Sequence, residues 1–363
     1  LEGTVAKLFG RSWTRQELTH YTGSIDQLGG VRQSVLDDGK GRSMRTAQFE
    51  TGTGLAFTVM LDRGMDIGST RFKGAALAWE SSVGPAHPMY FEKDGLSWHR
   101  TWGGGLLNGC GTTTAGAPSE DEGEALGIHG RLSHTPASNI WADASWEGDE
   151  YEMWVQGKVR ETTVKGENVL LQRRIWTHLG TSRLFIRDVI TNEGTEPVPH
   201  MMLYHFNFGF PLVAEGTEFL ATSKKVTPFS ADGREPLDHT HYTAPIDNFR
   251  EQAFRHEMVA ADDGFATAVL ANRGFEEGLG LGLYLRYRPT ELPYIAQWIF
   301  VRTGTYVSAL EPHNCPVMNR AKARAAGTLP FLAPGETREY NFEVGVLANN
   351  REIDEFSSQL IVP

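Results

Sequence analysis

Four segments of this 363-residue chain set titratable side chains among aromatic residues and glycines, the make-up of a pocket for a small polar molecule. In "SWHRTWGGGLLNGCG" (97–111), Trp98 and Trp102 offer flat apolar faces around His99 and Arg100. The glycines at 103 to 105 that follow would let a ligand approach the backbone closely. In "LGIHGRLSHTP" (126–136), His129 stands between Ile128 and Gly130. In "MLYHFNFGFP" (202–211), His205 sits among aromatics in a strand-like run. In "VSALEPHNCPVMNR" (307–320), an apolar strand ends on Glu311 and Pro312 follows. A carboxylate there is either a base held by rigid scaffolding or a turn residue. Each segment also has a plainer reading: a satisfied core histidine, a core tryptophan pair, an ion-paired Arg100.

Metal binding is the competing use of histidine. There is no HExxH, and His239-Thr240-His241 is an HxH pair that would share one face of a strand and lacks a third ligand nearby. No metal is therefore expected, with His239 and His241 the weak candidates. No GxGxxG, P-loop or GxSxG motif stands in its required context, so nucleotide chemistry and serine hydrolysis are not supported.

The elements that must position these groups are almost all strands. One helix is expected at Thr14-Arg15-Gln16-Glu17, which has capping-box spacing and continues through "RQELTHY". Segment 47–62 reads as two strands around a Gly-Thr-Gly turn. Segments 150–159, 167–179 and 182–194 alternate apolar and polar residues between short turns. Further strands are expected at 264–272, 280–287, 294–301, 305–311 and 337–347. About fifteen strands with few short helices predict an all-β chain, a large antiparallel β-sandwich. Residues 119–124 and 236–245 read as loops on it.

Composition narrows the partners. A net charge of -11 without a basic block argues against nucleic acid and anionic membranes. Two cysteines outside any CxxC pair fit a reduced, cytoplasmic setting. No apolar run reaches membrane-spanning length. No signal-peptide pattern opens the chain, though Leu1 is not an initiator Met and a removed leader stays open. A small molecule is the expected partner, and a homo-oligomer is left open.

The order of these motifs resembles the aldose 1-epimerase (galactose mutarotase-like) superfamily, from about residue 45 to the C-terminus. Within it the chain is similar to an aldose epimerase-like branch carrying "LDRGMDI" (61–67). "SWHR" matches the family's Arg, "GIHGR" its first His, "YHFNFGFP" its second His and Asn, and "LEPHNCP" its Glu. "LAPGETREYNFEVGV" (332–346) matches the closing turn and strand. The resemblance implies one mutarotase-like supersandwich domain over 1–363, with residues 1–45 an N-terminal extension whose short helix packs on it. It implies a sugar isomerase without cofactor: Glu311 the base on the C1 hydroxyl, and His205, with a pKa near the ordinary 6.5, the acid on the ring oxygen. His129 and Arg100 would bind hydroxyls, Trp102 or Trp298 would cover a sugar face, and Asn207 accompanies His205. Gln297 falls where relatives face sugar, and Arg63 or Asp66 would reach the site. The family's substrate-binding Asp has no clear match; Asp238 and Asp247 are the candidates. Departures keep two other classes open: an epimerase, isomerase or lyase acting at another carbon, with metal at His239 and His241 favouring it, and a non-catalytic sugar binder.

Overall fold

The computed structural model describes residues 5–229, 235–316 and 319–360. The expected helix is present as Arg15–Tyr21. Thr14 accepts from the Glu17 amide, and the Glu17 carboxylate accepts from the Thr14 amide. This reciprocal cap satisfies two amides that the first turn leaves without partners. Leu18 then turns into the main core.

Two antiparallel sheets carry the molecule. The larger, of eleven strands, runs in the spatial order Ser223–Pro228, Gln252–Met258, Tyr294–Arg302, Thr305–His313, Leu203–Gly209, Leu107–Cys110, Asp66–Phe72, Leu55–Met60, Arg45–Glu50, Gly30–Val35, with Ala75–Ala76 paired to Asp66–Phe72. The smaller, of eight, runs from Ser138–Glu147 through the expected meander Glu150–Thr162, Asn168–His178 and Arg183–Asn192 to Thr337–Leu347, Leu281–Tyr287, Ala266–Asn272 and Glu218–Ala221. Gly30–Val35, inside the segment expected to be an extension, is the edge strand of the larger sheet. Segment 119–126 contains a small hairpin, Ser119–Asp121 against Glu124–Leu126. Two-residue pieces and hairpins of this kind raise the strand count among the described residues to 25, above the expected fifteen.

One apolar core joins the two sheets. Alternation decides which face each side chain takes. Tyr204, Phe206 and Phe208 of the strand Leu203–Gly209 enter that core. Burying each such aromatic is worth about 1.5–3 kcal/mol, so the register of this strand is strongly held. His205 and Asn207 are thereby forced onto the opposite face. There a second apolar cluster, including Cys110, Leu203 and Cys315, closes one end of the row.

The "LDRGMDI" segment is a tight turn tied to the smaller sheet. Gly64 and Met65 both take left-handed backbone, with φ of 61° and 57°. Arg173, fully buried, donates to the carbonyl oxygens of both. The same guanidinium meets Asp188 through Nε (2.8 Å) and Nη2 (2.6 Å), and Tyr204 Oη donates to Asp188 at 2.7 Å. Arg45 binds Asp62 through Nε and Nη2. Removing one partner of a buried, hydrogen-bonded ion pair leaves an unpaired charge. Asp188→Ala should therefore lower the free energy of urea unfolding by about 3–5 kcal/mol, and Arg173→Met combined with Asp188→Leu by less. A loss near zero for the single variant would show that the pair does not clamp the sheets.

Candidate functional site

The strand carrying Glu311 runs Thr305–His313, so it does not stop at Glu311 as expected. It continues because its outer neighbour Tyr294–Arg302 pairs with it through Pro312 and His313. On its other side the ladder to Leu203–Gly209 is formed at Leu203↔His313 and again from Phe206↔Leu310, with no pair between. Pro312 has no N–H to donate. The same register sets His205 opposite Glu311 in that unpaired stretch. Their side chains meet with His205 Nε2 3.5 Å from Glu311 Oε1. On the far side Glu311 neighbours Ala296.

Aromatic rings surround the pair. The His205 ring stands edge-on to Trp102 (centroids 5.3 Å apart), to Trp298 (5.8 Å) and to His129 (5.7 Å). Trp98 touches both Trp102 and His129. Asn108 Oδ1 accepts from Trp102 Nε1 and from Asn207 Nδ2, fixing both side chains. His129 is held at φ 62°, a conformation uncommon for a residue with a Cβ. It sits there because Gly111 donates to its carbonyl and its own amide donates to Gly116. The Nδ1 atoms of His129 and His205 and the Oδ1 of Asn207 are buried without a partner in the protein. Such orphaned atoms are rare, and these three lie in one box.

Burial sets the charge of the pair. Glu311 is 6 % exposed and His205 4 %. Removal from water, with a smaller push from the negative charge of Glu251, raises Glu311 from 4.5 to about 8. Burial lowers His205 from 6.5 to about 4 and holds His129 well below its ordinary value. The expected near-neutral histidine is thus corrected. At neutral pH the pair holds one proton, carried by Glu311, and has no net charge.

Several expected site residues lie elsewhere. Arg100 is on the surface, 4.0 Å from Glu92, because the turn Ser97–Thr101 buries Trp98 and Thr101 and turns Arg100 outward, while the His99 ring stays against Trp98 and Trp102 at the rim of the box. Gln297 pairs across the ladder with core residue Leu310, so it faces inward and donates to Tyr242 Oη and the His239 carbonyl. Asp238 is exposed and accepts from Thr240 and His241; Asp247 is also exposed. Arg63 donates to the Ala86 carbonyl and to His134. Asp66 accepts from Ser133, the Gly109 amide and Asn108, and so touches the box only through Asn108. Gly103, Gly104 and Gly105 do not border the acid–base pair; they allow close backbone packing. A Cβ on each would lie 2.4–2.6 Å from the carbonyl oxygens of Gly84, Trp79 and Ile67.

His239 and His241 do not share a face, because their segment is not a regular strand. His239 packs on Phe254 and His256, while His241 pairs with Asp238. Among the described residues no three His, Cys, Asp or Glu side chains gather as a metal site. The sequence reading missed Glu251, whose Oε2 accepts from Trp298 Nε1 at 3.0 Å. It also missed Asn108. Strand alternation alone could have placed Asn108, two residues before Cys110 and opposite the core residue Leu107.

A family model described as "Domain of unknown function (DUF4432)" matches residues 41–346. The chain belongs to the DUF4432 family. Solved structures show what fold this DUF4432 chain shares. A "putative aldose 1-epimerase" from Klebsiella pneumoniae subsp. pneumoniae MGH 78578 superimposes with a TM-score of 0.83 at 23% identity, over 93% of this chain and 89% of that one. Galactose 1-epimerase from Lactobacillus acidophilus NCFM gives 0.58 at 12% identity, over 88% and 98%. A galactose mutarotase-like protein from Clostridium acetobutylicum gives 0.58 at 11%, over 88% and 99%. The DUF4432 chain thus has the galactose mutarotase-like β-sandwich fold. No curated protein matches it in sequence.

The raised Glu311 has a consequence for folding. Its proton stabilises the native state fully below pH 4.5, and that contribution is lost as pH rises through about 8. Glu311→Gln should therefore unfold at higher denaturant than the parent at pH 7, by on the order of 1–3 kcal/mol, with the gap closing toward pH 4.5. Equal stability of the two proteins at pH 7 would contradict the burial of this carboxyl.

Proposed function

We propose that this protein is a carbohydrate isomerase, an aldose 1-epimerase that interconverts the anomers of a free sugar. The observation that carries the reading is the 3.5 Å contact of His205 with Glu311 inside the ring of Trp102, Trp298 and His129. The names of the structural relatives agree with it.

Mutarotation needs one proton taken from the C1 hydroxyl and one given to the ring oxygen. Ring opening gives the aldehyde, rotation about C1–C2 exposes the other face, and closure gives the other anomer. A pair holding a single proton can do both transfers. With Glu311 as the base on O1, the proton begins on His205, which it reaches from Glu311 by crossing between the two without change of net charge. Ring opening moves a proton from O1 to Glu311 and one from His205 to the ring oxygen. Closure reverses both transfers and restores the pair. His129 Nδ1 and Asn207 Oδ1 are the buried polar atoms able to bind hydroxyls. Trp102 and Trp298 offer their faces to the apolar side of the sugar. Glu251, fixed on Trp298, takes the place sought for the substrate-binding Asp.

A second reading rests on the same carboxyl. A base with a pKa near 8 also suits removal of a proton from the carbon beside a carbonyl. Proton NMR of pure α-anomers of several aldoses in deuterated water separates the two. The proposal expects faster anomer exchange with no deuterium at C2, and His205→Asn slower by about 10²–10⁴. Deuterium at C2 would support the second reading, and chemical-shift changes without faster exchange would reject both. Activity should follow a bell, falling below about pH 4 as the pair gains a second proton on His205 and above about pH 8 as Glu311 loses its own.

A further inference from the structure

A cavity of about 330 Å³ lies on the same face of the larger sheet, beyond Asn108 from the acid–base pair. Its walls come from the strands Asp66–Phe72, Leu55–Met60 and Arg45–Glu50 and from the glycine strap at 103–105. Met60, Pro85 and Ala86 make part of the lining apolar, and Arg63 lines it as well.

Arg63, Arg173 and Arg320 are the buried arginines among the described residues. Arg173 meets Asp188 at 2.6 Å and Arg320 meets Asp121 at 2.8 Å. Arg63 has no described carboxylate oxygen within 4.0 Å; its bonds go to the Ala86 carbonyl (2.7 Å) and to His134 Nε2 (3.2 Å). The rest of its five N–H donors have no described protein partner. The carboxylates near the cavity are committed to other groups. Asp66 accepts from Ser133, Gly109 and Asn108 and lies 3.8 Å from Arg173. Glu80 accepts from Ser69 and pairs with Arg71 at 3.6 Å. A guanidinium held this dry, with no carboxylate in contact and only the longer-range charge of the committed Asp66 to balance it, is unfavourable, and a ligand's anion would relieve it.

We propose that this cavity is a second ligand site, built for the anionic oxyacid group of a small, partly apolar molecule of about monosaccharide size, with Arg63 as its anchor. The site does not depend on the isomerase reading, because its wall residues are neither Glu311 nor His205. Asn108 is the wall it shares with the aromatic box, so an occupant would sit against the side chain that orients Trp102 and Asn207.

Isothermal titration calorimetry of the full chain tests this with probes that are not sugars: cyclohexanecarboxylate and cyclohexyl phosphate, with cyclohexanol as the neutral control. At least one anion should bind saturably, and cyclohexanol roughly ten-fold or more weaker, the gap a charge-assisted bidentate contact supplies. Which anion binds identifies the oxyacid. Arg63→Met should remove the preference for the anion. Should that variant fail to fold, Thr58→Phe, which fills the cavity from the half-exposed side of its strand, should abolish binding by itself. Glu311→Gln should bind as the parent does. Failure of both anions to bind, equal binding of cyclohexanol, or unchanged binding in Thr58→Phe would each overturn the proposal. So would loss of binding in Glu311→Gln, which would move the anion to the acid–base pair.

Discussion

The exclusion of water from Glu311 and His205 is the constraint on which the site depends. A carboxylate and an imidazolium side by side in water would ionise separately, each near its ordinary pKa. On the outer face of the larger sheet and under tryptophans, the charged form of each is penalised. The result is a neutral pair holding one proton over a wide pH range. Everything around it serves to keep it dry and in register: the aromatic strand residues that lock Leu203–Gly209, the Asn108 side chain that holds Trp102, and the Glu251 carboxylate on Trp298.

The local backbone is arranged for the same end. Pro312 interrupts one ladder where His205 and Glu311 face each other, while the ladder on the other side runs on through it. A carboxylate is therefore placed within a strand, not at its frayed end, and its position is as rigid as the sheet. The Arg173–Asp188 pair fastens the "LDRGMDI" turn, whose Asp66 in turn fixes Asn108. In this segment Asp66 acts on the site through Asn108, by holding a wall.

The sequence made the strands legible because alternation and turn residues are local. Thr337–Leu347 and the meander 150–192 lie where those signals put them. His205 and Asn207 were legible for the same reason: their aromatic neighbours had to take the other face. What the sequence did not carry was register. Gln297 and Trp298 are adjacent, and only the pairing of Gln297 with Leu310 decides that Trp298 faces the site and Gln297 the core. Glu251 was missed because its contact with Trp298 spans 47 residues of chain. Arg100 followed its turn outward, which no period predicts. The pKa values were hidden too, since the rings that dry the pair come from distant segments.

The central claim is that Glu311 carries a proton at neutral pH. Infrared difference spectroscopy of the parent against Glu311→Gln, followed as pH is raised, measures this directly. The account predicts a protonated carboxyl band at pH 7 that is absent from the variant and converts to carboxylate near pH 8. A band already converted by pH 5 would mean that Glu311 is ionised in the folded protein, and the neutral one-proton pair would be ruled out.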